Sequence, residues 1–175
     1  MKDLEQFIKQ NYPIQTWINN PILRKKSEKV EIFDSELKEY AKILFEAMKL
    51  YDGIWLASPQ IWVNKRIIAV CQLDKKLKNI VFSDVLVNPE IIEKSKKTTT
   101  NEEWCLSLPW IEAEVTRAAK VVVKYQDLDG NFHTIKAYDF NAAILQHEID
   151  HLDWILFVDK AKRKKELNLW KLLNI

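Results

Sequence analysis

Glycine is nearly missing from this chain, with 2 in 175 residues, where an ordinary content near 7% gives roughly 12. The residue that tight turns most need is therefore scarce. Cysteine is equally rare. Cys71 and Cys105 are the only two, too few for a disulfide framework, and they are read as reduced thiols. No apolar run approaches the roughly 20 residues that a membrane-spanning helix needs. The opening MKDLEQFIKQ is charged throughout, without the apolar stretch and small-residue cleavage site of an export signal, so a cytoplasmic location is expected. Neither charge sign dominates: 27 basic against 25 acidic residues leave +2, which gives no bulk case for binding DNA. Repeats, low-complexity tracts and Pro/Gly/Ser linkers are also missing, so residues 1–175 read as one domain. A composition 47% hydrophobic and 30% charged is that of a folded chain.

Local patterns supply the architecture. After an irregular start containing Pro13 and Pro21, Leu37, Tyr40, Ala41, Leu44 and Met48 recur at helical spacing behind Asp34 and Ser35, predicting a capped helix over 35–50. Residues 66–72 (RIIAVCQ) and 79–88 (NIVFSDVLVN) are β-branched and end at Asp74 and Pro89, as strands do. Residues 121–127 and 132–137 flank Asp129-Gly130, a hairpin signal. A helix is expected from Asp139, its candidate cap, through Leu152, and a last one over 160–173 that opens with a basic run. The fold class is α+β: antiparallel sheets packed around a central helix, closed by a C-terminal helix.

The central helix reads Gln146-His147-Glu148-Ile149-Asp150-His151, an H-E-x-x-H pattern. Residues four apart lie one turn above each other. His147 and His151 can therefore share one divalent metal while Glu148 reaches the water beside it. A catalytic site needs a third protein ligand, from Cys71, Cys105, His133 or a carboxylate. Cys105 is preferred because it follows Glu103-Trp104 outside a plausible strand. Cys71 lies inside IIAVC and reads as a buried core thiol. His133, in a hairpin strand, is expected to face solvent. Asp150 is expected to serve a hydrogen bond or the helix surface, and Glu103 and Arg117 are expected to pair and hold the Cys105 loop.

Three segments together resemble one family, the peptide deformylases. Its G-x-G-x-A-A-P-Q corresponds to Gly53-Ile54-Trp55-Leu56-Ala57-Ser58-Pro59-Gln60, its E-G-C-L-S to residues 103–107, and its H-E-x-D-H to residues 147–151. The resemblance covers nearly the whole chain. It implies removal of the formyl group from the N-terminal Met of nascent polypeptides. Cys105, His147 and His151 would ligate the metal, leaving a fourth position for water. Fe²⁺ is the favoured ion, and Zn²⁺, Ni²⁺ and Co²⁺ also suit a thiolate with two imidazoles. Glu148 is implied as general base, and as the acid that protonates the departing amine. The Gln60 amide and the Leu106 backbone N–H are implied as oxyanion donors. Gly53, Ile54, Trp55, Trp104 and Leu106 are implied to line the substrate cleft, where the peptide adds as a strand.

The chain departs from the pattern in one consistent way. Trp55, Trp62, Trp104, Trp110 and Trp154, five of its seven tryptophans, stand where the pattern has glycine. Trp is the largest replacement for a residue that permits close approach and φ > 0. Five independent replacements with every chemical residue intact are less economical than one cause: the source cell reads UGA as glycine, and the codon is written here as Trp. Trp17 and Trp170 are further candidates. With Trp kept at 55 and 104, metal binding is expected but turnover is poor. A second reading follows, a catalytically silent module that docks on the ribosome through a basic C-terminal helix bearing Lys160, Lys162, Arg163, Lys164 and Lys165. A solvated helix face is the simpler view of that run. A general zinc peptidase is a third reading, which the Cys ligand disfavours.

Overall fold

The Asp34 carboxylate accepts from the Leu37 N–H and starts helix α2, Ser35–Leu50, at the expected residue. One stripe of α2, including Leu37, Ala41, Leu44 and Met48, is buried, which is what its helical spacing demands. The protein is described by a computed structural model covering residues 2–166. It opens with helix α1, Lys2–Asn11, inside the stretch expected to be irregular. Its only fully buried apolar residue is Ile8, too little for a periodic signal among so many charges.

A five-stranded antiparallel sheet carries the core. Its strands are β1 (Trp55–Ala57), β2 (Ile67–Leu73), β3 (Ile80–Lys94), β6 (Lys120–Gln126) and β7 (Phe132–Tyr138), in the order β1-β2-β3-β6-β7. β2 explains why its sequence is a continuous apolar run. Ile67, Ala69 and Cys71 face the α2 side, and Ile68 and Val70 face the central helix α3, Asp139–Leu152. A strand covered on both faces needs no polar alternation. Cys71 is thus a core thiol, as expected.

Three boundaries differ from expectation. β3 does not stop before Pro89: it continues to Lys94 through register shifts at Val87/Glu90 and Ile91/Glu93. Asn88 makes this possible, with φ 50 and its amide bonded to both backbone groups of Val30 and to Gln126. Asp139 begins α3 but does not cap it: Tyr138 is the N-cap residue and makes no side-chain cap bond. The C-terminal helix is only Phe157–Lys160 (α4), after which the chain runs as strand β8, Ala161–Glu166. The rest of the helix expected over 160–173 lies outside the described residues, as does Trp170. The stretch Ala161–Glu166 has only one apolar residue, so a helix there has no face to bury. Instead it pairs antiparallel with β5, Ile111–Ala118. β4 (Thr98–Glu103), β5 and β8 form a second, three-stranded sheet. The hairpin β6–β7 turns at Gly130, φ 85, as Asp129-Gly130 predicted, and His133 is exposed beside Asp127 at 2.8 Å.

α3 is buried continuously from Ala142 to Leu152 and contacts strands of both sheets. Its apolar residues Leu145, Ile149 and Leu152 enter the core of the larger sheet. Each contributes about 1.5–3 kcal/mol by burial, enough to hold the helix's polar face away from water. Gln146 fixes its rotation: its amide accepts from the Ala118 N–H at 3.1 Å and donates to the Ala118 carbonyl at 3.0 Å. No helix among the described residues is long and apolar enough to cross a membrane.

Candidate metal centre

Two elements distant in sequence converge on α3's polar face. α3 stacks His147 and His151 one turn apart, ring centroids 4.9 Å from each other. The turn after β4 brings Cys105, fixed by the Leu108 N–H donating to its carbonyl at 3.0 Å. Its Sγ and one ring nitrogen from each histidine lie within 4.8 Å of one another, and all three residues are buried. Sγ is 3.3 Å from His151 Nε2. Nothing else in the described residues forms such a cluster.

The donor chemistry fits a divalent cation. Burial first, and then the nearby Glu148 charge, push the Cys105 thiol up to about 12, so without a cation it is a neutral thiol. A bound metal is what turns a coordinating thiol into a thiolate. Burial, then His147, hold His151 well below the ordinary histidine range, as the neutral imidazole that ligates metals. His147 Nδ1 is engaged with the Glu103 carboxylate at 2.8 Å, which leaves Nε2 to face the cluster. Hydrogen bonding of one ring nitrogen to a carboxylate is how metal-ligating histidines are oriented. His147 Nε2 and both Glu148 oxygens are buried without a protein partner, an expensive arrangement unless something polar completes it.

Glu103 is held by a buried charge network. Burial pushes its carboxyl up, but hydrogen bonds from Arg117 and His147 outweigh this and hold it at about 2. Arg117 grips both Glu103 oxygens and donates from Nη1 to Asp150 at 2.7 Å. Lys160 Nζ donates to Asp150 at 2.6 Å. The expected Glu103–Arg117 pair is therefore present. Asp150 serves hydrogen bonds, as expected, and links α3 to α4. A bidentate guanidinium–carboxylate contact fixes geometry as well as charge, so Arg117 aims Glu103 at His147.

Glu148 is fully buried, with Oε1 3.9 Å from His147 Nε2. Burial raises its pKa well above the ordinary carboxyl value, a property suited to holding and delivering a proton. Gln60 sits on the 3₁₀ turn Ser58–Ile61 after β1. Its Oε1 accepts from the Ala57 N–H at 2.8 Å, and its Nε2 donates to Cys105 Sγ at 3.3 Å and to Ser107 Oγ at 3.2 Å. The amide protons thus face the Cys105 side of the cluster. Ser107 was not singled out by sequence reasoning, although it lies within the motif that supplied Cys105.

A groove of about 230 Å³ leads to this cluster, lined by Gly53, Ile54, Trp55, Gln60, Trp104 and Leu106. It unites every residue expected at a substrate cleft. Gly53 is required by close approach, because a Cβ there meets the Trp55 carbonyl oxygen at 3.1 Å and that of Met48 at 3.3 Å. Trp55 and Trp104 pack at a tilt with ring centroids 6.2 Å apart, and Phe140 packs edge-on with Trp55, centroids 5.9 Å apart. With Ala143, Ile144 and His147 they enclose a side pocket of only about 60 Å³.

The family profile of polypeptide deformylase matches residues 12–167. The chain belongs to the polypeptide deformylase family. A peptide deformylase from Finegoldia magna is 41% identical over 156 residues, 89% of this chain and 93% of that protein. One from Dictyoglomus thermophilum is 42% identical over 144 residues, 82% of this chain and 89% of that protein. The crystal structure of the Thermotoga maritima peptide deformylase superposes with a TM-score of 0.78 at 33% identity, covering 87% of this chain and 98% of that one. An Acinetobacter baumannii class I type b peptide deformylase, solved with Met-Ala-Ser bound, gives 0.78 at 34%, covering 85% and 97%.

Proposed function

We propose that this chain is a cytoplasmic, metal-dependent hydrolase that removes the formyl group from the N-terminal Met of nascent polypeptides, with Cys105, His147 and His151 holding one divalent cation. The observation that carries this reading is the convergence of three buried donors within 4.8 Å beside a buried, unpartnered Glu148. Fe²⁺ is the favoured ion, and Zn²⁺, Ni²⁺ or Co²⁺ fit the same donors. When bound, the cation supplies a Lewis acid and acidifies water for attack on the formyl carbon.

The protein's own residues account for the remaining steps. Backbone groups of Gly53, Ile54 and Leu106 receive the peptide as an added strand beside β1, an edge strand of its sheet. The apolar side pocket by Ala143 and Ile144 suits a thioether side chain, in keeping with the Met-Ala-Ser bound to the Acinetobacter relative. As water adds to the formyl carbon, negative charge grows on its oxygen. The Gln60 Nε2–H and Leu106 N–H donate to that oxygen, Gln60 giving up a bond to Ser107 or Cys105 to do so. Glu148 takes the proton from the attacking water and returns it to the nitrogen as the C–N bond breaks. Formate and a free α-amine leave.

Metal analysis combined with a formyl-Met-peptide assay on anaerobically purified protein tests the reading. One ion per chain and formate release are expected, both abolished by Cys105→Ala. Protein that holds an ion yet releases no formate would contradict the reading. The basic stretch 162–165 is proposed as a ribosome contact, read by salt-sensitive co-sedimentation.

A further inference from the structure

Nine described residues have positive φ: glycine holds one (Gly130), aspartate and asparagine hold three (Asp52, Asn88, Asp139), leucine one (Leu77) and tryptophan four. The four are Trp17 at 84°, Trp62 at 77°, Trp110 at 75° and Trp154 at 54°. Tryptophan is 7 of 175 residues, so chance alone puts less than one in nine such positions. Asp and Asn tolerate this region, whereas for a bulky side chain it is a genuine outlier.

The local hydrogen bonds name what three of these slots require. After the 3₁₀ turn Ser58–Ile61, Trp62 N–H donates to the Pro59 carbonyl at 3.3 Å and Val63 N–H to that of Ser58 at 3.1 Å. After α3, Trp154 N–H donates to His151 at 3.4 Å and Ile155 N–H to Asp150 at 2.9 Å. Both pairs are Schellman closures, whose left-handed residue is ordinarily glycine. In the turn Leu108–Ile111, the Ile111 N–H donates to the Leu108 carbonyl at 3.2 Å, with Pro109 second and Trp110 third. That is a type II turn, whose third residue needs positive φ and is usually glycine. The indoles give little in return, being 46% to 72% exposed at all four positions. The Lys26 ammonium, 5.5 Å from the Trp154 ring centroid, is a weak exposed contact.

The geometry points to glycine at positions 17, 62, 110 and 154 in the protein as its own cell makes it, through a single codon, UGA, read there as glycine and written here as Trp. One reassignment explains both the shortage of glycine and the placement of tryptophan. Trp55 and Trp104 are not left-handed; they follow only if they share that codon, in which case the groove and the side pocket merge. This last consequence rests on the deformylase reading, and the placement of glycine does not.

Peptide mass mapping of the protein purified from its own cells decides the matter independently of activity. Peptides spanning 17, 62, 110 and 154 are expected to be lighter by one tryptophan-to-glycine difference per position. Tryptophan-containing native peptides at these positions overturn the proposal. Thermal unfolding of the chain as written supplies a second reading. Trp→Gly at 62, 110 and 154 is expected to raise the midpoint by about 2–4 °C each, and above the matching Trp→Ala variant, which keeps a Cβ. Alanine equal to glycine at all three positions contradicts the glycine requirement.

Discussion

The candidate metal centre and the tryptophan-bearing turns are opposite cases within one molecule. At the centre, the chemical side chains are buried and most are braced: Glu103 orients His147, Arg117 orients Glu103, and Gln60 touches both Cys105 and Ser107, while Glu148 alone has neither carboxylate oxygen paired. At the turns, the bulkiest side chain stands exposed on backbone that disfavours it. Side-chain identity and backbone geometry agree in the first region and conflict in the second.

The largest effect expected at the centre is from removing a ligand: Cys105→Ala or His151→Ala should abolish both metal retention and formate release. Glu148→Gln separates chemistry from coordination. It should keep the ion, read by metal analysis, and lose about 10²–10⁴-fold in kcat; loss of the ion would assign Glu148 a ligand's role instead. On the other side of the comparison, Trp55→Gly with Trp104→Gly should raise kcat/KM on formyl-Met peptides well above that of the chain as written. Equal activity would show that the indoles do not obstruct the groove.

The brace itself should be measurable. Arg117→Met leaves Glu103 and Asp150 buried with less positive charge and should cost about 3–5 kcal/mol in denaturant unfolding. A smaller acid effect follows from Glu103. Its carboxyl is ordinarily near 4.5 and is held at about 2 in the fold, so this stabilisation is present above 4.5 and is lost as pH falls toward 2. Glu103→Gln should flatten that part of the stability–pH curve, and an unchanged slope would contradict the pairing.

How far each region was legible depends on how locally it is specified. α2 announced itself through Asp34 and a clean apolar stripe, and β6–β7 through Asp129-Gly130. The three candidate metal ligands were legible as a cluster because chemistry restricts residue type and spacing at once. β8 was not, since a basic stretch with helix-forming residues carries no sign that an edge of β5 is open to it. α1 hides its single buried Ile8 among charges, and β3 runs through Pro89 with Asn88 bonded across to Val30, a long-range contact that the local sequence does not announce. Glu103–Arg117 could be expected as a pair, but the extension to Asp150 and Lys160 depends on how α3 and α4 meet.

X-ray absorption of anaerobically purified protein bears most directly on the central assignment. One ion per chain is expected, bound by one sulfur and two imidazole nitrogens, with the sulfur signal vanishing in Cys105→Ser. An ion without a sulfur neighbour, or one whose spectrum is unchanged by that substitution, would contradict it.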